Sequence, residues 1–224
     1  MSGATSASFV YDGDGNRVKS VVNGVTTYHI GNHFEWRSAA SNMGRYYYAD
    51  GQRIAMRYGS TVYYLLGDHL GSTTLTVTGS GAKYAEQRYY PWGDTRYTYW
   101  KTPTAYQFTG QYHDTDLGLY FYNARYYDSS LGRFLQADKI IPDPANPQSL
   151  NRYSYTLGNP LRYTDPSGHF DVPTDEEGNL TPTCGELCQL LGFETFDAFA
   201  SWWEQLDPHW QNTLRAAAWG DMIA

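Results

Sequence analysis

"DTDLGLYFYNARYYDSSLGRFLQAD" occupies residues 114–138 and decides how the rest of the chain is read. Within it Tyr120, Phe121, Tyr122, Tyr126 and Tyr127 crowd together beside the turn residues Gly118, Asp128 and Gly132. A catalytic pocket needs a few placed groups, whereas a dense run of rings is a packing surface. Tyr120, Tyr122, Tyr126 and Tyr127 are therefore expected to build structure, not to perform chemistry.

Toward the N-terminus, short extended runs ended by turns recur along residues 9–165. "FVYDGDGNRVKSVVNGVTTYHI" reads as three strands joined by an Asp-Gly and an Asn-Gly turn. Asn23-Gly24 is a strong hairpin signal, because a type I′ turn wants positive φ at both central positions. The pattern returns in "RYYYADGQRIAMRYGSTVYYLLGD", with turns at Asp50-Gly51 and Tyr58-Gly59, and in "STTLTVTGSGAKYAEQRYYPWGD", with turns at Gly79–Gly81 and Pro91–Gly93. Strands spaced about ten residues apart, with no helical period between them, argue a mostly β, meandering antiparallel sheet. Spacing alone leaves an ordinary β-sandwich equally open.

Composition draws a boundary toward the C-terminus. All 22 tyrosines lie before residue 164, and residues 1–170 carry 15 bases against 13 acids. From Asp171 onward there are 10 acids and a single base, Arg215. That shift marks a change of module at "DPSGHFDVPTDEEGN". The organisation expected is an N-terminal arm at 1–8, a β-domain at 9–169, a linker at 170–182 and a helical tail at 183–224.

The net charge of −7 offers no basic footprint and speaks against nucleic acid as a partner. Two cysteines, Cys184 and Cys188, make no disulfide framework, and as an isolated pair they are a poor zinc site. No metal or other cofactor is expected. The N-terminus shows no readable signal peptide, and no apolar run is long enough for a membrane span.

The residues resemble a family. "YDGDGNRV" is similar to the Tyr-Asp repeat of Rhs/YD-repeat proteins. "GDHLGSTTLTVT", "QRYYPWGDTRY", the block "FTGQYHDTDLGLYFYNARYYDSSLGRFLQAD" and "NRYSYTLGNPLRYTDPSGH" resemble, in that order, the Rhs repeat-associated core. The resemblance covers roughly residues 9–169. It implies a long spiralling β-ribbon closed by the core block, in proteins whose full-length members enclose a C-terminal toxin or effector. It also implies an extracellular or cell-surface location. A chain with this few repeats leaves open sheet edges, which invite pairing with another copy. The first expectation is a structural subunit whose partners are itself and its own C-terminal segment, assembling into a shell, tube or filament.

The same resemblance implies a second activity. Core blocks of this family act as aspartyl autoproteases that release the segment after Asp-Pro-x-Gly. The matching acids are Asp138 and Asp165, with Asp143 a rival for the first; Arg133 is the nearest arginine to support them. Cleavage would fall within His169, Phe170 and Asp171. This sequence departs from the family pattern in placing Lys139 after Asp138, and His169 where an apolar residue is typical. Read without the resemblance, Asp165-Pro166-Ser167-Gly168 is a turn.

In the tail, Phe193, Phe196, Phe199 and Trp203 recur at steps of three or four, an apolar helical stripe with acidic flanks. One base and one histidine are too few for a nuclease, so the stripe reads as a docking helix that packs on the β-ribbon or on a neighbouring subunit.

Overall fold

The computed structural model describes residues 5–13, 15–37, 43–49, 51–139, 147–169 and 172–173. The tail with Phe193, Phe196, Phe199, Trp203, Cys184 and Cys188 lies outside them, as do Asp143, Phe170 and Asp171.

Ten strands follow one another through a single antiparallel sheet. They are β1 (Ala7–Tyr11), β2 (Arg17–Val22), β3 (Val25–Ile30), β4 (Phe34–Trp36), β5 (Met43–Ala49), β6 (Gln52–Tyr58), β7 (Thr61–Gly67), β8 (Thr73–Thr78), β9 (Lys83–Tyr89) and β10 (Thr95–Tyr99). Each strand pairs only with its sequence neighbours, which is the meander that the turn spacing predicts. Asn23 and Gly24 both take positive φ, 50° and 79°, and join the Val22–Val25 pair as a two-residue hairpin. The turn expected at Tyr58-Gly59 falls one residue later: Tyr58 still pairs with Thr61, leaving Gly59 and Ser60 to turn. Register breaks at Tyr47/Tyr48, Leu66/Gly67 and Thr76/Val77 insert bulges, which bend strands and raise twist.

Strand alternation gives the ribbon two unlike faces. Ser20, Thr27, His29, Glu35, Tyr46, Met56, Leu65 and Thr76 are buried on one. Tyr28, Ile30, Phe34, Trp36, Tyr47, Tyr64 and Leu66 remain exposed on the other.

The aromatic stretch does not extend the ribbon. It forms a second, four-stranded sheet of β11 (Tyr112–Asp114), β12 (Leu119–Tyr122), β13 (Arg125–Asp128) and β14 (Arg133–Phe134). On one face Tyr120, Tyr122, Tyr127 and Phe134 join Leu70, Phe108 and Tyr155 in a core whose members are all at least 94% buried. Most of the ring pairs meet edge to face, as Tyr122 and Phe134 do at 5.5 Å and 90°, an arrangement their quadrupoles favour. On the opposite face Phe121 and Tyr126 meet the first strands of the ribbon, Phe9 against Tyr126 at 5.6 Å. Arg17 of β2 stacks over Phe121 and bonds Asp114 of β11 at 2.6 Å. The small sheet is therefore clamped between the ribbon's beginning and the turns after β7 and β9, which supply Leu70 and Trp92. A last pair, β15 (Tyr163–Thr164) with β16 (Val172–Pro173), brackets the Asp-Pro turn.

A candidate carboxylate site at the aspartate–proline turn

Asp165-Pro166-Ser167-Gly168 turns because its first side chain ties down the backbone that follows. Asp165 Oδ1 accepts the Gly168 N–H at 2.7 Å and the His169 N–H at 3.0 Å. Gly168 has φ +80°, and a Cβ there would overlap the carbonyl oxygen of Tyr122, so only glycine fits. The turn is stitched to the β12–β13 hairpin: the Asn123 side chain donates to the Pro166 carbonyl at 3.0 Å, and the Ala124 N–H donates to the Ser167 carbonyl at 3.3 Å. Gln111 donates to the Pro166 carbonyl as well, at 3.0 Å.

Asp138 arrives from the other side, just past β14. Its N–H donates to the Arg152 carbonyl at 2.8 Å, and Arg152 Nε donates back to the Asp138 carbonyl. Both acids are buried, Asp138 to 5% and Asp165 to 1% exposure.

Arg125 holds the two together. One nitrogen, Nη2, lies 2.8 Å from Asp138 Oδ2 and 3.2 Å from Asp165 Oδ2. Nη1 donates to the Arg152 carbonyl at 3.1 Å, Nε donates to the Gly168 carbonyl, and the guanidinium plane covers the Phe134 ring at 3.6 Å. His169 completes the cluster, its Nδ1 2.8 Å from Asp138 Oδ1. Two buried carboxyl groups held side by side are the equipment that general acid–base chemistry uses.

The fold thus brings Asp138, Asp165 and His169 into one site. It does not bring Arg133, which is exposed and pairs with Asp128 across β13–β14. The arginine between the acids is Arg125, opposite Tyr122 in the hairpin. Nearness to Asp138 along the chain singles out Arg133; strand alternation would have singled out Arg125, a charged residue on an otherwise aromatic buried face. Among the described residues no group of three or more His, Cys, Asp and Glu is placed to hold a metal ion.

A second polar cluster lies under the ribbon, away from this site. Glu35 accepts from the Tyr46 hydroxyl at 3.1 Å, and burial pushes its carboxyl up, against the pull of Arg37. His29 bonds Ser20 at 3.1 Å; burial, with Arg17 and Arg37 nearby, holds its imidazole down at about 3.

The sequence profile of the teneurin YD-shell family matches residues 35–161. The tRNA nuclease WapA of Bacillus subtilis is 32% identical over 177 residues, which cover 73% of this chain and 8% of that protein. Toxin subunit YenC2 of Yersinia entomophaga is 39% identical over 105 residues, covering 43% of this chain and 10% of that one. Among solved structures, the Photorhabdus luminescens Tc holotoxin pore superposes with a TM-score of 0.62 at 21% identity, over 79% of this chain and 9% of that one. The chain thus spans about a tenth or less of the length of these proteins. At that identity the structural likeness shows the fold alone.

Proposed function

The chain belongs to the teneurin YD-shell family of YD-repeat proteins, and on that premise we propose that it is a β-scaffold that closes on its own aromatic block and joins further copies through its strand edges. The observation that carries the proposal is the strand order. β1 and β10 end the ten-stranded sheet, and no further strand among the described residues pairs with their outer sides. Unpaired edges of a long sheet are templates for another chain. Tyr97 and Tyr99 on β10 and Val10 on β1 add exposed apolar surface at the same edges. The acidic segment after Asp171 is the second partner, drawn to a β-domain of opposite net charge. The relatives named as toxin subunits favour a place outside the producing cell.

The test is size-exclusion with light scattering on the wild type and on the edge variants Val10→Lys and Thr98→Lys. Assembly of the wild type that rises with concentration and falls in both variants supports the proposal. A wild type that stays monomeric across the range overturns it.

A second reading is favoured by Arg125 holding Asp138 and Asp165 on one nitrogen. In it the pair hydrolyses the chain within His169–Asp171. One carboxylate takes a proton from water, whose oxygen bonds the peptide carbonyl carbon. The protonated partner then gives its proton to the leaving nitrogen as the C–N bond breaks. Intact mass of the wild type beside Asp165→Asn decides it: two pieces against a whole 25.4 kDa variant support cleavage. Two whole proteins exclude it.

A further inference from the structure

We propose that the exposed face of strands β3 to β7 is the docking surface for the chain's own C-terminal segment, with the stripe of Phe193, Phe196, Phe199 and Trp203 lying across it. The inference rests on the reading of that segment as a partner of the β-domain, and it assigns the surface.

Strand register shows what the face carries. Lys19, Tyr28, Trp36 and Met43 stand opposite one another across β2 to β5 and form one row. Two residues along, about 7 Å away, Ile30, Phe34, Arg45, Arg57 and Val62 form the next. Tyr47 and Tyr64 belong to a third, on either side of Ala55. Trp36 keeps 38% of its surface in solvent, Tyr64 48% and Ile30 62%. A continuous exposed apolar face of this kind marks a contact surface.

Charge says which partner fits. Lys19 leans over the Tyr28 ring, Arg45 meets Met43 Sδ, and Arg57 donates to the Gly59 carbonyl. None of these three bases has a carboxylate partner among the described residues. The one acid within strands β2 to β7, Glu35, is buried on the other side. Beyond the β-domain the balance reverses, and Glu194, Asp197 and Glu204 flank the apolar stripe. An apolar stripe edged with carboxylates complements an apolar face set with bases, whereas the same face of a second copy would bring like charges together.

The dimensions agree. Wound as the helix its period predicts, the segment 193–206 is about 21 Å long, and strands β3 to β7 are about 19 Å across. The described chain ends at Pro173, paired with Tyr163. Residues 174–192 reach up to about 60 Å when extended. The whole ten-stranded sheet is about 43 Å wide, so the face lies within reach.

The experiment places the photo-crosslinking amino acid benzoylphenylalanine in the full chain, singly at Trp36, Tyr64 or Phe199, and maps the linked peptides by mass. Links within one chain from Trp36 and Tyr64 to residues 190–206, and from Phe199 back to β3–β7, support the proposal. Arg45→Glu/Arg57→Glu should lower the yield of those links about fivefold, the sum of two weak exposed ion pairs. Both face probes replace exposed rings, so one answers where the other folds poorly. Links from Phe199 to another part of the β-domain overturn the assigned face and leave the segment a partner. Links that join two chains move the segment to a neighbouring copy and overturn docking on its own chain. A yield unmoved by the charge reversal marks chance apolar contact and overturns the docking as well. No link from Phe199 to the β-domain overturns both this inference and the partner reading beneath it.

Discussion

Gly168 packs against the carbonyl oxygen of Tyr122 so closely that no side chain fits between them. The contact locks the Asp-Pro turn onto the aromatic hairpin, and the Tyr122 ring anchors that hairpin from below. Its hydroxyl bonds Tyr155 at 3.1 Å and Thr109 at 2.7 Å. Arg125 shares a face with Tyr122 and Tyr127 and covers the Phe134 ring, so the carboxylate site borders the core directly.

Gly168→Ala is accordingly expected to cost more than its one methyl suggests. A positive φ for alanine costs about 1–2 kcal/mol, and the overlap with Tyr122 adds to it. Because Asp165 bonds the 168 and 169 N–H groups, the acids should lose their registry as well. Urea unfolding checks the stability. A variant within about 0.5 kcal/mol of wild type, the usual range of a surface change, would show that the turn relaxes freely.

Arg125→Met should be among the most damaging single changes. It leaves Asp138 and Asp165 buried without their cation, a situation that costs about 3–5 kcal/mol. Adding Asp138→Asn and Asp165→Asn should recover part of the loss, since neutral amides need no counterion. If the triple variant is as unstable as the single one, packing over Phe134 outweighs charge at this site.

Tyr122→Phe and Tyr155→Phe separate hydrogen bonding from ring packing. Both keep the ring; the first removes the hydroxyl that meets both Thr109 and Tyr155, the second the hydroxyl that accepts from Tyr122. The expected losses are about 1–3 and about 1 kcal/mol, in that order. Thermal unfolding of both in one buffer tests the ranking, and the reverse order would mean that the Thr109–Tyr122 bond contributes little.

His29 sets a stability limit on the acid side. Its imidazole falls from the ordinary 6.5 to about 3 in the folded chain. Between those values the unfolded chain binds the extra proton, so stability rises with pH and is lost as pH falls through this window. Glu35, pushed up, works the other way: its folded carboxyl holds a proton that the unfolded one gives up, which offsets part of the loss. His29→Gln should therefore flatten the fall in Tm between about pH 6.5 and pH 4. Parallel wild-type and variant curves would assign the acid sensitivity to other groups.

The ribbon was legible because each of its strands meets its sequence neighbour, so local turns such as Asn23-Gly24 carry most of the topology. The aromatic stretch was legible as packing, but its separation into another sheet was not. That depends on the clamp between Phe9, Arg17 and the Leu70 turn, contacts made across nearly the whole domain. Asp138 and Asp165 were legible through a family resemblance. Arg125 is not legible from proximity along the chain, which says little once hairpins fold it back, whereas its place in the alternating pattern beside Tyr122 and Tyr127 says a good deal.

The ion pair between Arg17 and Asp114 joins residues 97 positions apart. A ribosome adding about 5–20 residues per second makes the cation several seconds before its anion. In that interval the early hairpins can zip up, each being local, but Arg17 lacks the carboxylate it bonds in the finished fold. Docking of the small sheet is then the late and slow event, as expected wherever contacts span long loops. A nascent chain stopped short of residue 112 would be a string of paired strands with no clasp, and in that form it would be most exposed to wrong partners.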